Sequence, residues 1–548
     1  MKKVLKGCAV ISFFMSLALP AGVLANETDS LKQQVKDLKV IVEELDERLN
    51  DAEMHTATDK LAFGFELKTT AWSTQYKDAI RAPESMTQMF FMPYNADNPM
   101  AGGFNGATQA QINQMIAGMT AMDMVPAAEK YDADNDIMFT TKFRMNMKAK
   151  VNSSLSFTGR LSAYKAWGDS TGVNFNNNGS MDNTSLDGTS ASKPGGDIIH
   201  LERAYFNYKN SISSIPYNFS LGRRPSTDGP PLEYAANSLE GGSPFGSVIN
   251  WQFDGASLSF ALEDATNVPG ASFKLCYGMG FESDYGNQAS NTGNEQLKDV
   301  HLMGFITSLF DNDVTGVSFM WAYAPDLTDG FVGRTVMPFI VSEQDSNMDG
   351  TSEYHFDPNY GAFVSRTQPA TNLGDWQAAS LNLRTNVAES IGGIDLFCNF
   401  SWSQVDPSGK TSEIPMYKML DQGLMTGKTE DGYSIWLGAV FPMPLDGKFG
   451  VEYNYGSKYW FNFTGAEDSI TGSKLAARGE VYEAYYHQPI VGDNLFVTLG
   501  GRFYDYEYTG SGNPLAAPVK VSEANAMDAI FAQPDEVWNI NLSATMRF

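Results

Sequence analysis

Residues 538–548 alternate without a break between apolar and polar side chains, and this constrains the fold more than any other feature of the chain. Trp538, Ile540, Leu542, Ala544, Met546 and Phe548 fall on one face; Asn539, Asn541, Ser543, Thr545 and Arg547 fall on the other. Successive side chains on a strand point to opposite faces, so the segment predicts a strand with one apolar and one wet wall. A soluble sheet can also keep one face wet. Length and recurrence separate the two cases. A membrane-crossing strand needs about 9–11 residues of such alternation, and the pattern returns repeatedly from Leu61 onward.

The beginning of the chain has the three parts of an export signal. Lys2, Lys3 and Lys6 form a positive region, Val10 to Leu19 an apolar run, and Val23-Leu24-Ala25 a small-residue cleavage site, which predicts a signal peptide over residues 1–25. The run is too short to cross a bilayer as a helix, and no later stretch approaches about 18 uninterrupted apolar residues. Cys8 precedes the apolar run, which argues against a lipoprotein site. Removing the leader takes away three lysines and no acid, moving the formal charge from −26 to −29. Such acidity excludes nucleic acid as a natural partner.

A mean hydropathy of −0.27 fits a membrane chain only if strands alternate around a polar lumen. Processing leaves Cys276 and Cys398, whose strands set them on opposite faces, so no disulfide is expected. No zinc-spaced Cys/His set occurs, and neither a cofactor nor a metal is expected.

Within residues 26–58, Leu31, Val35, Leu38, Val42, Leu45, Leu49 and Ala52 repeat with 4-3 spacing, predicting a periplasmic coiled-coil helix. Three heptads are marginal alone. They either join chains that a larger body holds together, as in a homotrimer, or form a lone helix packed on the barrel mouth.

Residues 59–548 read as an all-β chain, a transmembrane antiparallel barrel. The candidate strands are 61–73, 136–151, 155–163, 199–209, 217–224, 246–254, 256–264, 271–282, 298–309 and 314–323. They continue at 375–387, 392–403, 433–441, 448–460, 477–487, 494–507 and 536–548. That makes 17, whereas a barrel with both ends on one side needs an even number, and the parity fails between about 225 and 297. The expectation is therefore 16 or 18 strands. Short links at 310–313, 388–391, 442–447 and 488–493 alternate with long ones at 324–374, 404–432, 461–476 and 508–535. Turns on one side and long loops on the other are what outer-membrane barrels show. Trp321, Tyr323, Trp402, Tyr459, Trp460, Tyr504, Tyr506 and Trp538 lie near strand ends and predict an aromatic girdle.

A barrel of this size leaves an aqueous interior. Period two places Lys142, Arg144, Lys148, Lys150, Arg160, Arg203, Arg224, Arg384, Arg502 and Arg547 on the wet face, a basic strip that would favour anions or create a transverse field with acids. Asp228, Glu233 and Glu240, in the Gly- and Pro-containing segment 225–245, supply such acids if the loop folds inward; otherwise it is a solvated surface loop. Asp132, Asp134, Asp136, Asp345 and Asp349 are expected on outer loops. The Met- and Gln-rich stretch Gln109 to Met124 predicts a short helix in or over the pore, with Met115, Met119, Met122 and Met124 as packing residues.

The run Leu201-Glu202-Arg203-Ala204-Tyr205-Phe206-Asn207-Tyr208, followed by Phe219-Ser220-Leu221-Gly222-Arg223-Arg224, resembles the general porins of the Gram-negative outer membrane. The whole layout resembles an uncharacterised family of outer-membrane porins with an N-terminal coiled coil. The resemblance implies that Arg223 or Arg224 lines the eyelet, and period two favours Arg224. It also implies that Phe548 is the signal read by the barrel-assembly machinery. The long first loop, 74–135, and the coiled coil depart from the general pattern.

The expected activity is passive diffusion of ions and small hydrophilic solutes through a water-filled channel in outer-membrane lipid. The competing expectation is a structural tether acting through the coiled coil, with a plugged barrel. No GxSxG, HExxH or paired His–Ser arrangement appears, so an enzyme is not expected.

Overall fold

The computed structural model describes residues 61–548 apart from 169–193, 195–197, 227, 239–244, 284–296, 330, 336–338, 360–363, 368, 389–391 and 466. The expected signal peptide and coiled coil, residues 1–25 and 26–58, lie outside the described residues, as does Glu240.

Sixteen strands close into one antiparallel barrel. They are β1 (Leu61–Arg81), β2 (Glu129–Lys150), β3 (Leu155–Ala166), β4 (Ile199–Ile212), β5 (Ile215–Arg224), β6 (Phe253–Ala261), β7 (Ser272–Phe281) and β8 (Val300–Asp311). The second half is β9 (Thr315–Thr328), β10 (Asn372–Val387), β11 (Ile394–Pro407), β12 (Glu430–Met443), β13 (Gly447–Gly456), β14 (Gly479–Val491), β15 (Leu495–Tyr506) and β16 (Glu536–Arg547). Each strand pairs with the next, and β1 pairs with both β2 and β16, so no edge remains. The seam is completed by reciprocal main-chain hydrogen bonds of 2.8 and 3.1 Å between Phe65 and Phe548.

The alternation sorts side chains as polarity demands. On β16, Ile540 and Leu542 are exposed while Asn539 and Ser543 are buried inside. On β2, Phe139 and Phe143 face out and Lys142 faces in. Cys276 lies on the inward face of β7 and Cys398 on the opposite, outward face of β11; both thiols are free. The exposed apolar band is what hydrocarbon solvates, so Leu542→Arg is expected to destabilise the barrel by about 2–4 kcal/mol. Asn541→Arg, one residue along and facing the wet interior, should cost less. Urea unfolding of lipid-folded protein measures both.

Connections at one end are short links, such as Val151–Ser154 or Asn312–Val314, apart from Leu262–Ala271, which carries the helical turn Glu263–Thr266; every long loop is at the other. The strand count of 16 settles the parity question. Of the expected strand 246–254, residues 246–252 form no strand: they are the inner limb of a loop, and the true strand starts at Phe253. The apolar residues there, Val248 and Trp251 among them, are buried inside the barrel rather than set in its wall.

The girdle expectation is corrected in the same way. Trp321, Tyr323 and Trp538 face outward, whereas Trp460, Tyr504 and Tyr506 are buried within. Trp460 is on a loop, because β13 ends at Gly456. Inside, Val248, Trp251, Phe461 and Phe463 pack with Met320, Ala322 and Trp376 into an apolar core.

At the long-loop end, α1 (Glu84–Phe91) and α2 (Gln109–Ala121) belong to the first loop. Thr108 and Gln111 form a capping box that starts α2. Ile112, Met115 and Met119 pack with Phe90, Phe104, Phe339 and Met419. Met122 and Met124 are half exposed and pack little, contrary to expectation. Asp132, Asp134 and Asp136 extend β2 into solvent rather than standing on a loop. The carboxylates of Asp345 and Asp349 accept hydrogen bonds from the amides of Asp349, Gly350 and Thr351 in an exposed turn. Among the described residues no His/Cys/Asp/Glu group has metal-holding geometry.

Candidate constriction of the barrel

Two loops from the long-loop end enter the lumen. The first, residues 225–252 between β5 and β6, carries α3 (Leu232–Ala236). Leu232 packs on Phe397 and Trp436, and the Tyr234 ring stacks on Phe397 at 5.5 Å. The Tyr234 carbonyl lies 3.1 Å from Nε2 of His487 on β14. The carbonyl of Asn237 accepts 2.8 Å from Nη1 of Arg547. The loop thus leaves β5 and reaches the walls of β11, β14 and the end of β16.

The second loop, residues 457–478 between β13 and β14, lies against the first. The amide of Asn250 donates to the Phe463 carbonyl at 2.7 Å, and the Phe463 amide donates to Val248 at 2.9 Å. Asn462 Nδ2 donates to both Ser247 and Leu475 carbonyls, 2.8 Å each. With these main-chain groups paired, both loops can bury apolar residues at the centre of a barrel without stranding the amides and carbonyls that carry them.

Two buried charge networks fasten these loops to the wall. In one, Arg144 Nε sits 3.2 Å from Glu202, with its Nη atoms 3.5 Å from Glu66 and 3.3 Å from Asp228. Arg160 lies 3.1 Å from Glu202, and both Arg160 and Arg203 are 3.8 Å from Asp228. Lys142 pairs with Asp468 of the second loop, and Lys68 lies beside Asp468. Burial opposes the charge on Asp468, yet Lys142, Arg144 and Lys68 hold its pKa below the usual carboxylate range. Five cations therefore surround four carboxylates. Arg144 lies between Phe143 and Met145, whose side chains point to the outer surface, so the network stands level with the apolar band.

In the other network, Lys474 of the second loop sits 2.5 Å from Glu452 on β13 and also pairs with Glu483 on β14. Trp436 Nε1 donates 2.8 Å to Glu452, and Arg502 lies 2.7 Å from Glu483 and 2.8 Å from Glu467. Burial of this kind is tolerable only because each charge is met by an opposite one.

A bulge explains why Glu202 belongs here. Arg203 opposes Arg160 but Leu201 opposes Leu161, which leaves Glu202 as the extra residue on β4. Consecutive side chains, Glu202 and Arg203, then both turn inward.

Of the basic residues singled out by period two, Lys142, Arg144, Arg160 and Arg203 meet in the first network and Arg502 in the second. Arg384 pairs with Asp311 at 2.5 Å, away from either. Lys148 lines a cavity of about 430 Å³ at the short-turn end, beside Glu66, Arg160, Arg547 and Phe548. Lys150 ends β2 near the same mouth. Arg224 faces inward and Arg223 outward, where Arg223 pairs with Asp254 at 2.8 Å. Of the loop acids, Asp228 joins the first network and Glu233 forms no ion pair among the described residues. Glu66, Lys68, Glu202, Glu452, Glu467, Asp468, Lys474 and Glu483 were not anticipated. The alternation of β1 already put Glu66 and Lys68 on the wet face, and that of β13 put Glu452 there; nothing local marked the others.

A family model described as a protein of unknown function, DUF3373, matches residues 132–548. The chain belongs to this family. In DUF3373 terms the match runs from the second barrel strand through the last and includes both lumen loops. No curated protein matches the chain in sequence. Among solved structures it is similar to Salmonella typhi OmpF in complex with daunomycin, at 9% identity and a TM-score of 0.38, over 88% of this chain and 97% of that one. It is similar to Pseudomonas putida OprB at 11% identity and 0.38, over 90% and 95%. An anion-selective porin from Comamonas acidovorans shows 10% identity and 0.40, over 89% and 100%.

Proposed function

We propose that this protein is an outer-membrane channel through which ions and small hydrophilic solutes diffuse, with the two inward loops narrowing the lumen at the charged wall of β1–β4. The supporting observation is the first network: nine charged groups from four strands and two loops, gathered at the height of the apolar band inside a closed barrel. An anchor for tethering alone has no need of charges at that depth, and burying them is costly. Anion preference, in this reading, comes from the small excess of cations rather than from an unopposed basic strip, since acids answer most of that strip.

Purified protein in planar lipid films is expected to give discrete conductance steps, smaller than an unobstructed barrel of 16 strands would give. In a salt gradient the reversal potential should favour the anion modestly. Films that stay silent at protein levels giving many insertions would defeat the channel reading.

A further inference from the structure

We propose that the lumen holds a seat for a short-chain carboxylate between Arg224 and Lys274; as a station for a diffusing solute it rests on the channel reading above. Both side chains point inward, Arg224 at the end of β5 and Lys274 on β7, with Ser257 of β6 and Cys276 of β7 between them as cross-strand partners. Arg224 donates to the Ser220 hydroxyl and, at 2.9 Å, to Ser257, and its guanidinium lies 5.0 Å from the Tyr205 ring centre.

Unlike the basic residues of the two networks, this pair has no counter-charge. Lys142, Arg144, Arg160, Arg203, Arg384, Lys474 and Arg502 each meet a carboxylate. Among the described residues no carboxylate pairs with Arg224 or Lys274; the ionisable groups beside them are Tyr205, Cys276 and each other. Two neighbouring like charges, largely removed from water, favour the arrival of an anion. A guanidinium and an ammonium together suit a carboxylate head.

The rest of the cavity decides the class of anion. It has a volume of about 80 Å³, lies between the barrel wall and the loop 225–252, and has Ile249, Phe253, Leu302, Met320 and Ala322 around it. An apolar floor of that size accepts a short alkyl chain and offers an inorganic anion no further donors.

Cys276 is a built-in reporter, because it lines the same cavity. In mature full-length Cys398→Ser protein in detergent, it is the one remaining thiol. The sulfonatoethyl methanethiosulfonate reagent should modify it roughly tenfold or more faster than the trimethylammonioethyl one, since a basic cleft concentrates anions. Millimolar propionate should slow the anionic reagent, and Arg224→Gln with Lys274→Gln should abolish the preference. Equal rates, a faster cationic reagent, no modification by either, or indifference to propionate would overturn the seat. The reagent comparison leaves the basic pair intact, so it stands even where the double variant does not fold. Modification is read by mass, so silent planar films would remove the channel reading without touching this result.

Discussion

A protein carrying Asp228→Asn and Asp468→Asn is expected to shift its permeability ratio toward anions by roughly tenfold, judged by how strongly focused charge biases ion entry. The substitutions remove two of the four carboxylates around Lys68, Lys142, Arg144, Arg160 and Arg203, leaving five cations against Glu66 and Glu202. Both changed residues are on loops, so the wall that carries the barrel is untouched. The measurement is the reversal potential in a tenfold potassium chloride gradient. Arg144→Gln should move it the other way, because that guanidinium contacts Glu66, Glu202 and Asp228 at once. A ratio unchanged by both variants would mean that ions do not pass this network.

The largest stability effect belongs to Lys474. Its side chain is 1% exposed between Glu452, also 1%, and Glu483, 7%. Lys474→Met leaves two buried carboxylates with less compensation, Trp436 for one and Arg502 for the other. Breaking a buried pair in this way costs about 3–5 kcal/mol. The expected outcome is a lower urea midpoint, together with larger and noisier conductance as residues 457–478 come loose. Adding Glu452→Gln should recover part of the loss, since the two residues are in contact and their effects are not additive. A single variant as stable as the parent would show that the loop is held by its apolar contacts alone.

How much of this was legible beforehand depended on whether the interior obeyed the rule that inward means wet. Along β16 and β2 it does, and Trp538 to Phe548 or Lys142 to Lys148 can be sorted by counting alone. Around loop 225–252 it does not. Val248, Ile249 and Trp251 make a short apolar run that imitates a strand, yet Val248 and Trp251 fill the barrel's centre against Phe463 and Trp376. Trp460 and Tyr504 misled in the same way, being aromatic near strand ends but turned inward.

Glu202 was hidden for another reason. Strict period two cannot place it and Arg203 on one face, and the bulge that does so depends on pairing with β3. Asp468 and Lys474 lay in a long connection of a kind that usually stays outside. Their role depends on a path across the lumen that is set by tertiary contacts with β2, β13 and β14.

The seam between β1 and β16 joins residues far apart along the chain, such as Thr74 and Asn539, separated by 465 positions. Every other neighbouring pair can zip up as a hairpin when its second strand emerges. This one must wait while both outermost strands present bare rows of amides and carbonyls, open to any passing polypeptide. The vulnerable moment in the life of this molecule is therefore the interval before the circle is joined, when those two margins stand open.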